Sequence, residues 1–389
     1  MPPPPSTARD ASSATAELPR LVRGHAVVDV VDRALAEIAG RARLLQAVTP
    51  LNVAAERARM ESVFARDSET MPRWEHRPVA DVASSLAPLA ALAALARLAR
   101  SVPPPLDRLY LARIEELALE LRLQAAAGTA SFGALAAARF AARSPEADAL
   151  ARRFSRAKPP RDDGPRIATD DPSPLSLRGR IAAAIEELRL PFRVRVVDGL
   201  SSLAATGAES VYVARGRLVG DRVARRTTLH EILGHAAPRA RARTMPLRLF
   251  FTGTAGGHDT QEGFALWHEK RSGLLDGQRK RELGLRHVAC LAMDDGATFV
   301  DVVRLLTRTH DAELAPALGI AERIFRGSDG RAAGLGRERV YLTRFREVEA
   351  HLTAHPLDET LLGSGQLGLD ALPVLSGLAH GTMAACSSA

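Results

Sequence analysis

The sequence predicts a mainly helical α+β protein, and three observations support this fold class. The 389 residues are 46% hydrophobic and 25% charged, a composition typical of a globular protein with a large core. Only 4% of the residues are aromatic, while alanine, leucine and arginine are abundant, which favours helices over sheets. Apolar residues recur at three- and four-residue spacing along most of the chain, and strand-like alternation is confined to short segments.

The N-terminal half is expected to be helical. Residues 1–22 are rich in proline, serine and alanine and lack a basic segment followed by an apolar one, which predicts a disordered leader, no export signal and a cytoplasmic protein. Residues 23–156 carry the helical pattern, which prolines divide into separate helices. The most hydrophobic run, residues 86–98, is shorter than the roughly 20 residues that span a bilayer, so it predicts a buried helix and no membrane contact.

The C-terminal half begins after a change of composition. Residues 157–176 are rich in proline and aspartate and predict a surface loop or linker. We expect residues 177–355 to form a catalytic domain and residues 356–389 a C-terminal segment with a frayed end. In this half, strands are predicted at residues 192–197 and 210–214, and helices at residues 177–190, 262–275, 281–293, 298–307, 312–325 and 343–353.

The charge distribution and the cysteines argue against nucleic acid binding, a disulfide framework and a cysteine-type zinc site. A net charge of +8 is compatible with nucleic acid binding, but all except three of the 53 basic residues are arginines scattered through helical stretches, so nucleic acid is not expected as a partner. Cys290 and Cys386 have neither disulfide-framework nor zinc-site spacing and are expected to be inert thiols. Trp74 is expected to be a packed core aromatic.

A zinc site is predicted at the segment HEILGH, residues 230–235. A catalytic zinc requires about three protein ligands, an open position for water and a carboxylate that takes the proton of that water. His230 and His235 supply two imidazoles, and Glu231 supplies the carboxylate. The alternative is a capping box formed by Thr228 and Glu231, in which the glutamate only closes a helix terminus.

The two histidines are five residues apart, and this spacing predicts a distorted helix. On a regular helix, at about 100° per residue, the two rings would point about 140° apart and would not converge on one ion. A π-type turn brings such residues onto the same side, and Gly234 would ease the distortion. Asp221 is the predicted N-cap of this helix, which places His230 inside it, and Pro238 is expected to end the helix soon after His235.

The third ligand is predicted to be Glu262, in the segment QEGFALWHEK. The downstream candidates are His258, Glu262, His268 and Glu269. Glu262 is preferred because it opens a helical pattern and because Gly263 permits close backbone approach. Glu269 lies about two turns further along the same face and is predicted to orient a ligand histidine, whereas His258 and His268 are expected to be a loop residue near the cleft and an ordinary helix residue.

This residue set predicts a peptidase mechanism. Glu231 would accept the proton of a metal-activated water and later pass it to the leaving amine. The sheet upstream would offer an edge strand along which an extended peptide lies. The order of elements, a small sheet followed by the metal-binding helix, predicts a zincin-like core.

The residues around the site resemble the QEGLA-motif family, which includes the tubulin tyrosine carboxypeptidases (the MATCAP type) and bacterial members labelled flavohaemoglobin expression modulators. The family's H-E-x-x-x-H motif is matched by HEILGH, and its E-G-L-A glutamate by Glu262, with Phe264 in place of leucine. The resemblance covers about residues 27–355 and includes the segments LLQAVTPLNVAAERARMESVF, AERIFRG and RERVYL. It departs at residues 337–339, RER, where a Lys-Asp pair is expected.

The resemblance implies a gluzincin-type fold, bound zinc and removal of a C-terminal residue from a peptide or protein tail. A carboxypeptidase needs a cation for the terminal carboxylate, and arginine can bind it through two hydrogen bonds. The candidates for this contact are Arg323, Arg326, Arg339 and Tyr341. The alternative is a regulatory protein that binds zinc and acts without proteolysis, but the presence of Glu231 favours catalysis.

Overall fold

The structure is a computed structural model that describes residues 26–66, 68–77, 86–91, 93, 104–141, 143–158 and 164–379. The predicted leader, Cys386 and the predicted frayed terminus lie outside these residues. Within them the fold class is the predicted one, mainly helical α+β with small sheets.

The N-terminal half consists of helices, as predicted. Prolines occupy the first turn of two of them, where a missing N–H costs least, and the Ser144 side chain caps one by accepting the Ala147 N–H. Residues 86–91 and 93 are helical and Leu89 is buried, while the rest of the predicted 86–98 helix lies outside the described residues. The helices are α1 (Ala26–Ala39), α2 (Leu44–Val48), α3 (Val53–Phe64), α4 (Pro104–Ala126), α5 (Phe132–Phe140) and α6 (Pro145–Phe154).

Two small sheets precede the histidine pair. The strands are β1 (Ile167–Ala168), β2 (Arg193–Val197), β3 (Ala204–Thr206), β4 (Ser210–Ala214) and β5 (Leu218–Val219), and helix α7 (Leu177–Glu187) lies between β1 and β2. In the larger sheet the order is β2-β4-β3, with β2 parallel and β3 antiparallel to β4. The predicted strands correspond to β2 and β4, whereas β1, β3 and β5 are too short to show alternation in the sequence.

The remaining chain is helical. Helix α11 begins before the predicted start at residue 262, because its first turn contains Gly257 and His258. The elements are α8 (Asp221–Leu229), a π-helix (His230–Ala236), α9 (Ala237–Ala242), α10 (Leu249–Thr252), α11 (Gly257–Arg271), α12 (Gly277–Asp294), α13 (Phe299–Arg304), a second π-helix (Leu305–Thr309), α14 (Leu314–Ile324), a 3₁₀ turn (Arg337–Arg339), α15 (Val340–Ala354), α16 (Asp358–Leu362), a 3₁₀ turn (Leu369–Ala371) and α17 (Leu372–Ala379).

The core joins the two halves of the chain. One cluster of buried side chains combines α1 and α4 with Phe264 and residues from Val348 to Leu375. A second cluster packs α7 and the larger sheet against Ile232 of the π-helix, so the sheet supports the segment that carries the histidines. None of the described helices is long and apolar enough to cross a membrane.

Two further predictions concern single side chains. Trp74 packs edge-on against Phe299 at a ring separation of 5.5 Å and lies partly buried against a core cluster, in agreement with its predicted packing role. Cys290 is buried, and burial raises the pKa of its thiol to about 12, so the thiol is protonated at neutral pH.

Candidate metal centre

The predicted distortion of the histidine helix is present. Helix α8 runs without interruption into the π-helix His230–Ala236, so both histidines lie on the widened segment. The Thr228 hydroxyl donates to the carbonyl of Ala224 one turn earlier, which excludes the capping-box alternative. Helix α8 begins at Asp221, with Gly220 rather than Asp221 in the N-cap position.

The prediction that Pro238 ends the helix is wrong. After the π-helix the chain continues into α9, and Pro238 lies in the first turn of that regular segment. The N–H of Ala237, the residue before the proline, still bonds the Ile232 carbonyl five residues back, so the wide π-type turn reaches to the proline. The change from π to α geometry therefore accommodates the proline without a break.

Three side chains converge behind the π-helix. The ligand atoms of His230, His235 and Glu262 all lie within 4.8 Å of one another, an arrangement that could hold a metal ion. The Glu262 Oε2 atom is 3.5 Å from His230 Nε2 and 3.7 Å from His235 Nε2. The other oxygen, Oε1, accepts a hydrogen bond of 3.1 Å from Arg337 Nη2, which aims the carboxylate at the histidines.

Two glycines allow the two ligand-bearing helices and α15 to pack closely. A Cβ atom at Gly234 would lie 2.4 Å from the Cβ of Ala265 on α11, so this glycine is needed for packing, whereas the prediction had assigned it to backbone distortion. A Cβ atom at Gly263 would lie 2.4 Å from the backbone carbonyl carbon of Arg344 on α15. This second contact is the close backbone approach predicted for Gly263.

Replacing Gly263 with alanine is expected to destabilise the protein by about 1–3 kcal/mol or more, because the clash is with backbone and no side-chain rotation relieves it. Glu262 is the adjacent residue, so zinc affinity should fall as well. Thermal unfolding and zinc titration would measure both effects. The matched control is Gly319→Ala on helix α14, where nothing lies within 4 Å of the added Cβ. If Gly263→Ala unfolded at the wild-type temperature, the packing argument would be wrong.

Glu269 fixes the orientation of His230. Its Oε1 atom lies 2.8 Å from His230 Nδ1, and its two oxygens accept hydrogen bonds of 3.0 and 3.1 Å from Arg279. The Glu269 side chain is fully buried. Because a carboxylate only accepts, the ring proton of His230 lies on Nδ1, which leaves Nε2 free to face Glu262.

Buried charge shifts the pKa values of this centre. Burial acts to lower the pKa of His230, but contacts with Glu262 and Glu269 outweigh it and raise the pKa to about 9. Burial acts to raise the pKa of Glu262, but both histidines and Arg337 lower it well below its usual value. The metal-free centre therefore holds a proton on His230 at neutral pH, where a cation would replace it.

Zinc affinity is consequently expected to rise with pH. Zinc must displace the proton of His230, so the apparent affinity should increase about tenfold per pH unit between pH 7 and pH 9 and level off above that. The stability of the metal-free protein has the opposite dependence. Because the pKa of His230 is raised in the folded protein, its protonation stabilises the fold. This contribution is fully present below the unfolded pKa of 6.5 and is lost as the pH rises through about 9. Competition with a chelator at several pH values would measure the affinity, and a flat profile would contradict the assignment.

Glu231 lies beside the ligand group and is held by the sheet. Its Oε2 atom accepts a hydrogen bond of 2.8 Å from the Thr206 hydroxyl on β3, which also contacts the Glu231 carbonyl oxygen at 3.2 Å. Thr206 was not predicted, because its strand is three residues long and carries no motif. The carboxylate of Glu231 remains at the wall of a cavity that the histidines also line.

The cavity has a volume of about 530 Å³ and is rich in charge. Of the predicted carboxylate-binding residues, Arg323, Arg326 and Tyr341 line it. Arg339 is not among the described residues that line the cavity. Its two terminal guanidinium nitrogens donate to the carboxylate of Asp294 instead. The reason is geometric, since Arg337 and Arg339 are two residues apart on a 3₁₀ turn and point to different sides.

Several lining residues escaped prediction. Arg226 and Arg239 face the cavity from the helix of the histidines, and Arg337 faces it from the 3₁₀ turn. Nothing in the sequence distinguishes these arginines from the many others. Of the two other candidate histidines, His258 lines the cavity from the first turn of α11, whereas the His268 ring packs edge-to-face against Phe264 at a centroid separation of 4.4 Å.

A comparison with protein-family models finds a match over most of the chain. The profile described as "Microtubule-associated tyrosine carboxypeptidase" matches residues 61–387. A search of curated proteins finds no match to the chain. The matched range contains the whole metal centre and nearly all of the cavity lining.

Proposed function

Since the chain belongs to the microtubule-associated tyrosine carboxypeptidase family, we propose that it is a zinc-dependent carboxypeptidase that removes a C-terminal residue from a peptide or protein tail. Family membership supports a peptidase that acts on peptide or protein. The observation that carries the finer proposal is a three-residue metal group next to a separate carboxylate, Glu231, in one cavity. We also propose a zincin-like core, on the order of small sheet, histidine helix and glutamate helix.

The donor set fits zinc. Zinc accepts both imidazole nitrogen and carboxylate oxygen as ligands, and three protein ligands leave a position open for water or substrate. The raised pKa of His230 agrees with this geometry, because the carboxylates of Glu262 and Glu269 concentrate negative charge where a cation would lie. His230, His235 and Glu262 would hold the ion, with Glu269 and Arg337 fixing two of the ligands.

Bound zinc would lower the pKa of a water molecule and polarise the scissile carbonyl. Glu231 accepts the proton of the attacking water and then donates it to the leaving amine. The hydrogen bond from Thr206 keeps the Glu231 carboxylate at the cavity wall, and burial of Glu231 to 7% exposure limits its contact with bulk water.

The substrate backbone is proposed to lie along strand β3, which is the edge of its sheet. The Ala214 N–H donates to the Leu203 carbonyl and the Gly207 N–H donates to the Ser210 carbonyl, so the odd-numbered residues of this segment form the backbone hydrogen bonds with β4. The N–H groups of Ala204 and Thr206 therefore point away from β4, towards the free edge. Strand residues 204–206 line the cavity, so an added peptide strand would reach the metal centre.

The terminal carboxylate is proposed to bind Arg323 and Arg326. Both line the cavity, with Arg323 in the last turn of α14 and Arg326 two residues after its end. Their hydrogen bonds go to Ser201, with Arg323 donating to the carbonyl at 3.0 Å and Arg326 to the hydroxyl at 3.3 Å. Arg326 has no carboxylate partner among the described residues, and the carboxylate nearest to Arg323 is that of Glu338 at 3.9 Å, so both guanidinium groups retain capacity for a substrate carboxylate. Tyr341 lines the same wall and would donate its hydroxyl.

The test is a panel of peptides with free or amidated C-termini, incubated with the zinc-loaded protein and analysed by mass spectrometry. We expect loss of one C-terminal residue from the free peptides only. If zinc binds and no peptide is shortened, a zinc-binding regulator becomes the better description. Cleavage of amidated and free peptides at equal rates would rule out a carboxypeptidase.

A further inference from the structure

A chain of buried ion pairs leads from the metal centre towards the N-terminal helices. It begins at Glu262, whose Oε1 atom accepts the 3.1 Å hydrogen bond from Arg337 Nη2. The Nε atom of the same guanidinium lies 3.9 Å from Oδ1 of Asp259 on α11. The other oxygen of Asp259, Oδ2, accepts a hydrogen bond of 2.7 Å from Arg139 Nη1 on α5. Negative and positive groups therefore alternate from Glu262 to Arg139.

The outer end of this chain is anchored on helix α4. Arg139 Nη2 lies 2.8 Å from Glu116 Oε1 and 3.2 Å from Glu120 Oε1. Arg113, which is also on α4, pairs with Glu116 at 2.6 Å. The Glu116 Oε1 atom accepts, in addition, the backbone N–H of Gly256 at the start of α11, at 2.9 Å. Arg139 is therefore tied both to α4 and to the beginning of α11.

Water is almost excluded from this chain of charges. The side chain of Asp259 is 3% exposed and that of Arg139 is 8% exposed. Buried pairs are screened little by salt, and each partner is held in place because an unpaired buried charge is costly. The cluster around Arg139 consists of three carboxylates and two arginines, so one negative charge is left over among these five side chains. That surplus attracts the next cation in the chain, Arg337.

Arg337 connects two carboxylates of one helix. Glu262 and Asp259 are the only carboxylates in ion-pair contact with it among the described residues, and they lie three residues apart, one turn along α11. The Nε and Nη2 atoms form one edge of the planar guanidinium, so this edge spans both carboxylates. A guanidinium held by Glu262 alone could rotate about that single contact, whereas the second anchor at Asp259 fixes its plane.

We propose that Asp259 is a positioning residue of the metal centre. With Arg139 behind it, Asp259 holds Arg337 in place and thereby keeps the Glu262 carboxylate in the orientation that binds the ion. Asp259 also takes up part of the charge of Arg337, which would otherwise compete with the ion for Glu262. This inference rests on the zinc site of the proposed function, and it makes α4 and α5 of the N-terminal half part of the support of that site.

Competition with a chelator for zinc, measured on the whole chain, tests this inference. Asp259→Asn should weaken zinc binding by about 10–100-fold, the usual cost of altering a residue that supports a metal ligand. Asparagine keeps the shape of aspartate, and Arg139 retains its two glutamates, so the variant should fold. The matched control is Asp294→Asn. Asp294 pairs with Arg339 on the same 3₁₀ turn but lies outside the chain of ion pairs, so its replacement should leave the zinc affinity unchanged.

A double-mutant cycle separates positioning from a direct effect of charge on the ion. If Asp259 acts through Arg337, adding Asp259→Asn to Arg337→Gln should change the zinc affinity little, because the guanidinium that Asp259 holds is already absent. Equal losses from Asp259→Asn in both backgrounds would overturn the proposal. So would an equal loss in the Asp294→Asn control, which would indicate general loosening of the turn.

Arg337→Lys provides the test if Asp259→Asn does not fold. Lysine keeps the positive charge on this partly exposed turn, but its ammonium lacks the flat edge that spans the two carboxylates, so zinc affinity should again fall. Unchanged affinity would overturn the inference. If wild type binds no zinc, the proposed function fails and this inference with it. If wild type and a folded Asp259→Asn protein bind zinc equally well, only this inference fails.

Discussion

Replacing Glu231 with glutamine is expected to lower kcat by about 10²–10⁴-fold, with little change in KM. This range is the usual contribution of a positioned general base. The amide cannot take a proton from water, yet it has nearly the shape of the carboxylate. Its oxygen can still accept the hydrogen bond from Thr206, so the cavity wall should keep its form. A fall in kcat alone indicates a group that acts in the transition state rather than in substrate binding.

Zinc content separates this effect from damage to the metal centre. Glu231 is not one of the three converging ligands, so Glu231→Gln should bind zinc as tightly as wild type. The matched control is Glu187→Gln at the exposed end of α7, which should change neither zinc affinity nor rate. Steady-state kinetics and metal analysis of wild type, Glu231→Gln and Glu187→Gln distinguish loss of the general base from loss of the metal. Activity within tenfold of wild type would remove Glu231 from the mechanism.

The convergence of His230, His235 and Glu262 was the part of the molecule that the sequence predicted best, for a physical reason. Two histidines five residues apart can face one point only if the helix is widened, and the π-helix His230–Ala236 has this form. Gly263 was identified because close helix packing requires glycine at the contact. In both cases a single physical requirement, convergence of two rings or close contact of two helices, permits only one local geometry or one residue type.

The cavity wall was harder to predict because its residues are of a common type. All but three of the 53 basic residues are arginines, so Arg226 and Arg337 cannot be distinguished by composition or spacing. Arg339 was placed in the cavity, although the 3₁₀ turn directs it to Asp294 and presents Arg337 instead. Such assignments depend on backbone geometry over one or two residues, which periodicity does not determine.

Replacing Glu262 with glutamine is expected to weaken zinc binding by more than about a hundredfold. Changing a residue that only supports a ligand typically costs about 10–100-fold, and Glu262 is proposed to contact the ion itself. The substitution also leaves Arg337 without its partner at 3.1 Å, which adds an unpaired positive charge next to the metal. Both effects act in the same direction.

The pH of the measurement decides whether the loss from Glu262→Gln is seen in full. Glu262 helps to raise the pKa of His230 to about 9, so its removal lowers that pKa and reduces competition from the proton. At pH 7 this gain could offset the loss by up to about a hundredfold, if the pKa returned to its ordinary value. Chelator competition at about pH 9.5, where His230 is largely deprotonated in both proteins, avoids the offset. Equal zinc affinity of the two proteins at that pH would exclude Glu262 as a ligand. A large loss of affinity there and a smaller loss at pH 7 would support two claims, that Glu262 binds the ion and that it raises the pKa of His230.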